Sequence, residues 1–261
     1  MPVTLAHPAL AIPLRRLLGG AGVLSALVIG SVIPDIHYFL PLPLSRATTH
    51  SLPGAVLVCV PLGLLAYVAF HLVLARPLIA LLPASWQARL VHHARAQLPA
   101  APWPAVVLSI AAGTLSHLAW DFATHGNEGL WAMFPWLDTR LAVVSAYPIY
   151  GQTVIRMASN VIGIGFLAWR IARWRRSTPA APLAKPLLHP AIRTAVLVAL
   201  VVTTLSVAVA ELQLPRRTTL RAVQRILVRS GVPSLSWLGM SVLLYCGAWH
   251  ALRALDRSAR S

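Results

Sequence analysis

One segment, WPAVVLSIAAGTLSHLAWDFAT at residues 103–124, indicates the fold class most clearly. It contains one acidic residue, Asp121, and no Lys, Arg or Glu, and its other side chains are mostly apolar. An α-helix needs about 20 such residues to cross the hydrocarbon core of a bilayer. We therefore predict a transmembrane helix over 103–124, with a polar group embedded in it.

The composition of the whole chain agrees with a membrane location. Of its 261 residues, 57% are hydrophobic and 11% are charged, and the mean hydropathy is +0.71. Such a chain is too apolar to remain solvated in a disordered state, and it is more apolar than an average soluble domain. Cys59 and Cys246 lie in separate apolar runs and offer neither a disulfide framework nor a CxxC motif.

Apolar runs of spanning length recur along the chain and predict an all-α, polytopic transmembrane helical bundle. A further apolar stretch, 3–14, is too short to span and is predicted as a re-entrant or interfacial segment. The predicted organisation is a membrane domain over 1–175, a cytoplasmic linker over 176–190 and a C-terminal pair of spans over 191–261. The six predicted spans are 20–40, 53–73, 103–124, 152–174, 192–212 and 234–255.

The basic residues lie at the edges of the apolar runs. The formal net charge is +16, and most Arg and Lys residues fall on one side, the cytoplasmic one, if the spans alternate. This pattern predicts a multi-pass protein of a bacterial plasma membrane that contacts the lipid bilayer. It argues against nucleic acid as a partner, because no basic stripe is interleaved with exposed aromatic residues. The segment from Arg216 to Arg229 disagrees with the alternation and is predicted as a basic amphipathic helix on a membrane surface.

His117, Asp121 and His125 are four residues apart and form one stripe on the predicted helix 103–124. Adjacent members can chelate a metal ion, as two histidines at i and i+4 do. Helix rise separates His117 from His125 by about 12 Å, so a two-metal site, or one ion with a proton-relay residue, fits the spacing better than one ion held by all three. The alternative is a hydrogen-bonded polar stripe at a helix contact.

Two further segments carry Asp and His to the same side of the membrane. Asp35 lies near the end of the first predicted span and His50 precedes the second, and the alternating topology places both on the outer side with His125. An acid at bilayer depth costs about 2.5–3.5 kcal/mol on insertion scales, so such residues usually serve a function. Imidazole and carboxylate ligands together predict a divalent metal cofactor, zinc first, with manganese and iron as alternatives.

The same residues carry a resemblance to known families. Three motifs resemble those of the YdjM-like membrane-bound metal-dependent hydrolases: P-D at 34–35, R-x3-H-S at 46–51 and S-H-x3-D at 116–121. The start MPVTLAHP, residues 1–8, is more similar to a sister family of bacterial membrane proteins, domain of unknown function 4184. The resemblance covers about residues 1–175. It implies an anion contact at Arg46 and metal ligands at His7, Asp35, His50, His117 and Asp121.

Two positions complicate the resemblance. His37 stands where the hydrolase pattern has a second Asp, and it could itself be a ligand. His7 must reach the outer side, although Arg15 and Arg16 anchor the cytoplasmic side. A half-helix over 4–14 that descends into the membrane and turns back over 15–20 reconciles them, and it would bring His7 to the His117 end of the stripe.

The predicted function is that of a metal-dependent hydrolase. A metal held by His and Asp lowers the pKa of bound water and polarises a phosphoryl oxygen. The predicted substrate is an amphiphilic phosphoester, such as a lipid head group, at the outer membrane boundary. Asp121 and His125 are the predicted catalytic residues, and Arg46 the predicted substrate contact. The alternatives are a non-catalytic metal or proton transporter, since intramembrane His/Asp chains also relay protons, and a membrane scaffold.

Overall fold

The fold is known from a computed structural model, which describes residues 4–90, 97–124, 133–144, 147–182, 185–211 and 220–258. These residues are almost entirely helical, which confirms the predicted all-α class. One antiparallel ribbon is present among them, formed by β1 (Arg140–Val144) and β2 (Tyr147–Tyr150). It lies within the loop that follows the helix 103–124.

The N-terminal segment is helical and folds back, as predicted, but its helix continues through Arg15 and Arg16 to Leu17, where the turn was expected. A 3₁₀ segment, Thr4–Leu10, continues into α1 (Ala11–Leu17), and the chain turns at Gly19, whose φ of 54° favours glycine. It then returns through α2 (Leu24–Gly30) and a second 3₁₀ segment, Ile33–Tyr38.

The predicted span over 20–40 is wrong as a continuous helix, because it breaks between α2 and the segment Ile33–Tyr38. Pro34 has no N–H to bond the carbonyl of Gly30, four residues earlier, so the α-helix cannot continue regularly through it. The amide of Asp35 instead bonds the carbonyl of Val32 at 3.0 Å, which leaves the carbonyl of Ser31 available. Side chains of the helix 103–124 bond the Gly30 and Ser31 carbonyls, so the break is stabilised from outside the segment.

The next elements are α3 (Arg46–Thr49), which is one turn long, and the long helix α4 (Leu52–Ala80). Two π-helical turns, Ala55–Cys59 and Phe70–Leu74, interrupt α4. Each precedes a proline, Pro61 or Pro77, whose missing N–H disturbs the regular ladder. A short helix, α5 (Ala84–Leu90), follows.

The core lies between α2, α4 and α6 (Trp103–Thr124). Gly30 and Gly113 bring the backbones of α2 and α6 together, because a Cβ at Gly113 would meet the carbonyl of Leu27 and lie 2.9 Å from the amide of Ser31. Small residues at helix crossings permit this approach in membrane proteins. Ala26, Tyr67, Val106 and Ile110 form the buried apolar cluster around the crossing.

Three long helices complete the chain: α7 (Gly151–Ser177), α8 (Pro190–Ala210) and α9 (Leu220–Ser258). The basic connector predicted between the last two spans is not a separate helix over its described part, because α9 runs continuously from Leu220 through the last span. Arg216 lies outside the described residues. Within the described residues five helices are long and apolar enough to cross a membrane, one fewer than predicted: Leu52–Ala80, Trp103–Thr124, Gly151–Ser177, Pro190–Ala210 and Gly231–Asp256.

Candidate metal centre

Four separate stretches of chain bring His and Asp side chains to one buried position. The segment Thr4–Leu10 carries His7, the segment Ile33–Tyr38 carries Asp35, and His50 follows α3 directly. Helix α6 supplies His117 and Asp121, one turn apart on its buried face. His7 and His117 are completely shielded from solvent, and Asp35 and Asp121 are 2% and 5% exposed. Burial of this kind is rare for such residues unless they are paired or bind a ligand.

The first group of converging ligands is His7, His117 and Asp121. Nε2 of His7 lies 3.1 Å from Oδ1 of Asp121, and the rings of His7 and His117 stack at 3.9 Å between centroids. Nε2 of His117 lies 3.8 Å from Oδ2 of Asp121.

The second group is Asp35, His50 and His117, so His117 is common to both. The Nε2 atoms of His50 and His117 are 3.2 Å apart. Oδ1 of Asp35 lies 3.5 Å from Nε2 of His50 and 3.8 Å from Nε2 of His117. His50 also joins the two groups from the other side, since its Nε2 is 3.2 Å from Oδ2 of Asp121.

The outer nitrogens of two of the three histidines fix which nitrogen faces the centre. Nδ1 of His117 donates to the carbonyl of Ser31 at 2.8 Å, and Nδ1 of His7 donates to the carbonyl of Thr4 at 3.3 Å. A carbonyl can only accept, so Nδ1 carries the proton in both rings. In a neutral ring, Nε2 of His7 and Nε2 of His117 then each present a lone pair to the centre. Nδ1 of His50 lies 3.0 Å from Oγ1 of Thr49, a hydroxyl that can donate or accept.

The Nε2 atoms of three imidazole rings and two carboxylates thus face one another. Oδ1 of Asp35 is buried and, among the described residues, accepts no hydrogen bond. Lone pairs this close repel unless a proton or a metal ion lies between them. Ligand atoms around one tetrahedral zinc ion at about 2.0–2.1 Å lie about 3.3 Å from each other, close to the distances between the Nε2 and carboxylate oxygen atoms here. The residues therefore fit a divalent metal ion, and the Nδ1 bonds are the outer contacts that orient histidine ligands.

Polar neighbours hold the two carboxylates in place. Thr4 donates through Oγ1 to Oδ2 of Asp35 at 2.7 Å. Arg46 donates through Nη2 to Oδ2 of Asp121 at 2.6 Å, and its side chain is 41% exposed. Burial opposes the positive charge of Arg46, but the hydrogen bond and the charge of Asp121 outweigh burial and raise its pKa, so the guanidinium stays charged. Ser45 caps α3 by accepting from the amide of Thr48, which fixes the turn that carries Arg46 and His50.

The structure brings together all five residues that the resemblance implied as ligands, with Arg46 at their exposed side. His125, a predicted catalytic residue, lies outside the described residues. His37 belongs to neither group; it lies beside Tyr38, at 4.0 Å between ring centroids. Burial lowers the pKa of His37 more than the nearby Asp35 carboxylate raises it.

Sequence reasoning missed the residues that orient the ligands. Thr4, Thr49 and the carbonyl of Ser31 bond the carboxylate or the outer imidazole nitrogens. Two of these hydroxyls had a signal in the sequence, because Thr49 directly precedes His50 and Thr4 lies three residues before His7. The Ser31 carbonyl had an indirect signal, because Pro34 frees backbone acceptors in the preceding turn.

These features define a class of protein: a multi-pass helical membrane protein with a buried cluster of His and Asp that could hold a metal ion. Within that class the chain belongs to the family described as Domain of unknown function (DUF4184), which matches residues 1–247. The match extends well past residue 175, where the recognisable motifs end. No curated protein and no solved structure matches the chain.

Proposed function

We propose that this protein is a metal-dependent hydrolase that cleaves a phosphoester of a membrane amphiphile. The observation that carries the proposal is the pair of ligand groups that share His117, in which the Nε2 atoms of three histidines face two carboxylates. A divalent ion held by such residues supplies a nucleophile from bound water at neutral pH and polarises a phosphoryl oxygen. Zinc is the proposed ion, because it accepts mixed imidazole and carboxylate ligands in tetrahedral geometry.

Arg46 supports a phosphoryl group as the substrate's reacting part. Its guanidinium is charged, partly exposed and bonded to Asp121, so it forms one wall of the ligand cluster and still reaches solvent. Planar guanidinium groups bind phosphate oxygens with two parallel hydrogen bonds. We assign Asp121 and His125 to the catalytic machinery, Asp121 because it contacts both His7 and Arg46. His125 follows Asp121 by four residues.

The position of the cluster along α6 supports chemistry at one membrane face rather than transport. His117 and Asp121 lie in the last two turns of α6, and Asp35 and His50 meet them there. A transport path would need ligands distributed through the bilayer depth. The arginines in the last turns of α7 mark the opposite end as cytoplasmic, which supports a cluster towards the outer face of a bacterial plasma membrane.

Metal content tests the first step of the proposal. Full-length protein, extracted in a mild detergent and analysed by inductively coupled plasma mass spectrometry, should contain about one or two divalent ions per chain. His117→Ala and Asp121→Ala should lose them, because His117 is common to both groups and Asp121 contacts three of the other side chains. His189→Ala is the matched control, since His189 caps α8 and lies outside both groups. Wild-type protein without bound metal after growth in zinc-replete medium contradicts the proposal.

Activity tests the second step. Metal-loaded protein should hydrolyse members of a panel of lipid phosphoesters in mixed micelles, with release of phosphate or head group as the readout. Arg46→Ala should retain the metal and lose about tenfold or more in kcat/KM, and Arg46→Lys should lose less, because it keeps the charge without the planar fork. Transport is favoured instead if the loaded protein is inactive on the panel while liposomes containing it take up zinc or protons, and Asp121→Asn abolishes that uptake.

A further inference from the structure

Arg156 lies inside a membrane span and has no ion-pair partner among the residues that the structure describes. It lies in the second turn of α7, and its Nε is buried. Across the described ranges it forms no ion pair, and that Nε donates no hydrogen bond. A charged side chain at such depth normally faces a polar interior and an opposite charge. The partner that the described chain does not supply is an anion.

Asn160 lies one turn further along the same face of α7. It is 7% exposed, and its Oδ1 is buried without a hydrogen-bond partner among the described residues. Buried side-chain amides are nearly always hydrogen-bonded, so each exception points to a group that is missing. Two polar side chains in successive turns therefore leave one buried donor and one buried acceptor without a partner in the described structure, on one helix face.

This face of α7 packs against the metal-binding side of the protein. Gly163 lies on the same face as Asn160, and a Cβ there would lie 3.1 Å from Cβ of Ala6 and 3.4 Å from the ring of Trp120. Ala6 and Trp120 immediately precede the proposed ligands His7 and Asp121. The level of Gly163 on α7 is thus the level of the metal centre.

The direction of the helices places the two polar residues on the outer side of that level. α7 runs inward from Gly151, and α6 runs outward to Thr124, so earlier residues of α7 lie beside later residues of α6. With a rise of about 1.5 Å per residue, Asn160 lies about 4.5 Å outward of Gly163, and Arg156 about 10 Å outward. Side chains of a helix lean towards its N-terminus, which carries the Arg156 guanidinium further outward.

We propose that Arg156 and Asn160 form an anion subsite at the outer mouth of the metal centre, which binds a second phosphoryl group of the substrate. The inference rests on the proposed function and specifies its substrate class as a lipid diphosphate. Arg46 is engaged by Asp121 at the metal-binding side chains, whereas Arg156 has no ion pair within the described ranges and lies farther out. The amide of Asn160 can donate to a phosphoryl oxygen or accept from a hydroxyl.

Binding of inorganic pyrophosphate and orthophosphate to metal-loaded, full-length protein in micelles tests the subsite by isothermal titration calorimetry. Wild-type protein should bind pyrophosphate more tightly than orthophosphate. Arg156→Gln should weaken pyrophosphate binding by about tenfold and orthophosphate binding by less than about threefold. Asn160→Ala should shift the same ratio in the same direction by a smaller factor. Arg170→Gln is the matched control: Arg170 is on the same helix, its Nε is also without a partner in the described structure, and it lies over Trp169 towards the other end.

The subsite is refuted if Arg156→Gln weakens both anions equally, or weakens neither. It is also refuted if Arg156→Gln and Arg156→Lys both prevent folding, judged by gel filtration in detergent, because Arg156 would then serve the fold. A different result bears on the proposed function alone: protein that takes up no metal but still prefers pyrophosphate in an Arg156-dependent manner retains the subsite. Active, metal-loaded protein that is unaffected by Arg156→Gln retains the hydrolase and loses the subsite.

Discussion

Two regions of the protein, the one around the metal centre and the C-terminal pair α8 and α9, are both rich in apolar residues. They differ in how much of their apolar surface is buried inside the protein. In α6, 44% of the most apolar stretch is buried inside the protein, whereas α8 has 0% of its stretch buried. The metal-centre region consists of short, broken elements with buried His, Asp and Thr side chains. The C-terminal pair consists of long, continuous helices whose side chains mostly face outward.

Helix breaks at prolines stabilise the two regions in different ways. A proline frees the carbonyl four residues before it, and a free carbonyl in an apolar environment needs another donor. At Pro34 the freed turn bonds Thr114 and His117, which orients a proposed metal ligand. At Pro77 the freed carbonyl of Val73 bonds His250 at 2.9 Å, which attaches α9 to α4. The same backbone defect therefore builds a site in one region and docks a helix in the other.

Removing the metal should produce the largest difference in local stability between the two regions. A ligand present at about a thousandfold excess over its dissociation constant stabilises the folded state by about 4 kcal/mol. Because the ion would join the Thr4–Leu10 segment, the Ile33–Tyr38 segment and α6, chelation should raise amide hydrogen exchange in residues 4–38 by up to about a thousandfold. Hydrogen exchange followed by mass spectrometry measures both regions in one sample.

Peptides from 190–210 serve as the internal reference and should change little on chelation, because none of the most apolar stretch of α8 is buried inside the protein. His117→Ala in metal-containing buffer should reproduce the pattern seen for chelated wild-type protein. A uniform increase in hydrogen exchange along the whole chain would mean that the two regions unfold as one unit, which would contradict the prediction.

The close approach of α2 and α6 should make Gly113 far less tolerant of a larger residue than Gly247 of α9. Gly113→Ala places a Cβ against the carbonyl of Leu27, and overpacking of this kind costs about 1–3 kcal/mol. Gly247→Ala in α9 is the matched change, because no heavy atom of the described residues lies within 4 Å of its added Cβ. It should be neutral or stabilising by up to about 1 kcal/mol through helix propensity. Unfolding in mixed detergent and SDS, followed by circular dichroism, measures both; equal losses in the two variants would contradict the prediction.

Sequence alone could predict much of this architecture because hydropathy and helical spacing are local. The spans near α4, α6, α7, α8 and α9 follow from apolar length, and the adjacency of His117 and Asp121 follows from their four-residue spacing. The descending segment that carries His7 was also predictable, since Arg15 and Arg16 limit how deep the chain can run.

The rest depends on contacts between distant segments. The run 20–40 is apolar enough to span, and its break depends on Thr114 and His117, more than 80 residues away, which satisfy the freed carbonyls. His250 gave no signal beyond an interfacial histidine, because its partner Val73 is 177 residues away. The role of Arg156 was equally hidden, since an arginine in a helix sequence does not reveal whether an acid faces it.

Orientation of Asp35 should depend on Thr4, which donates to its Oδ2 at 2.7 Å. Thr4→Val keeps the shape of the side chain and removes the donor, and loss of such an outer contact typically weakens metal binding about 10–100-fold. The expected result is a weakening near the lower limit, because Thr4 lies near the N-terminus. Competition with a zinc-binding dye measures it. Thr203→Val in α8 is the control, since its hydroxyl bonds only carbonyls of its own helix among the described residues; a similar weakening in both variants would rule out a specific role for Thr4.

The smallest expected effect concerns the attachment of the C-terminal pair. Tyr245 of α9 donates to the carbonyl of Pro77 at 3.0 Å, close to the point where His250 bonds Val73. Tyr245→Phe removes one hydrogen bond without opening a cavity, which should cost about 1 kcal/mol in free energy of unfolding. Metal content should not change, because this hydrogen bond involves none of the proposed ligands. If Tyr245→Phe instead lowered metal occupancy, the effect would have reached the ligands through α4 or through the hydrogen bond from Ser236 of α9 to the carbonyl of Tyr38, and the two regions could no longer be treated as independent.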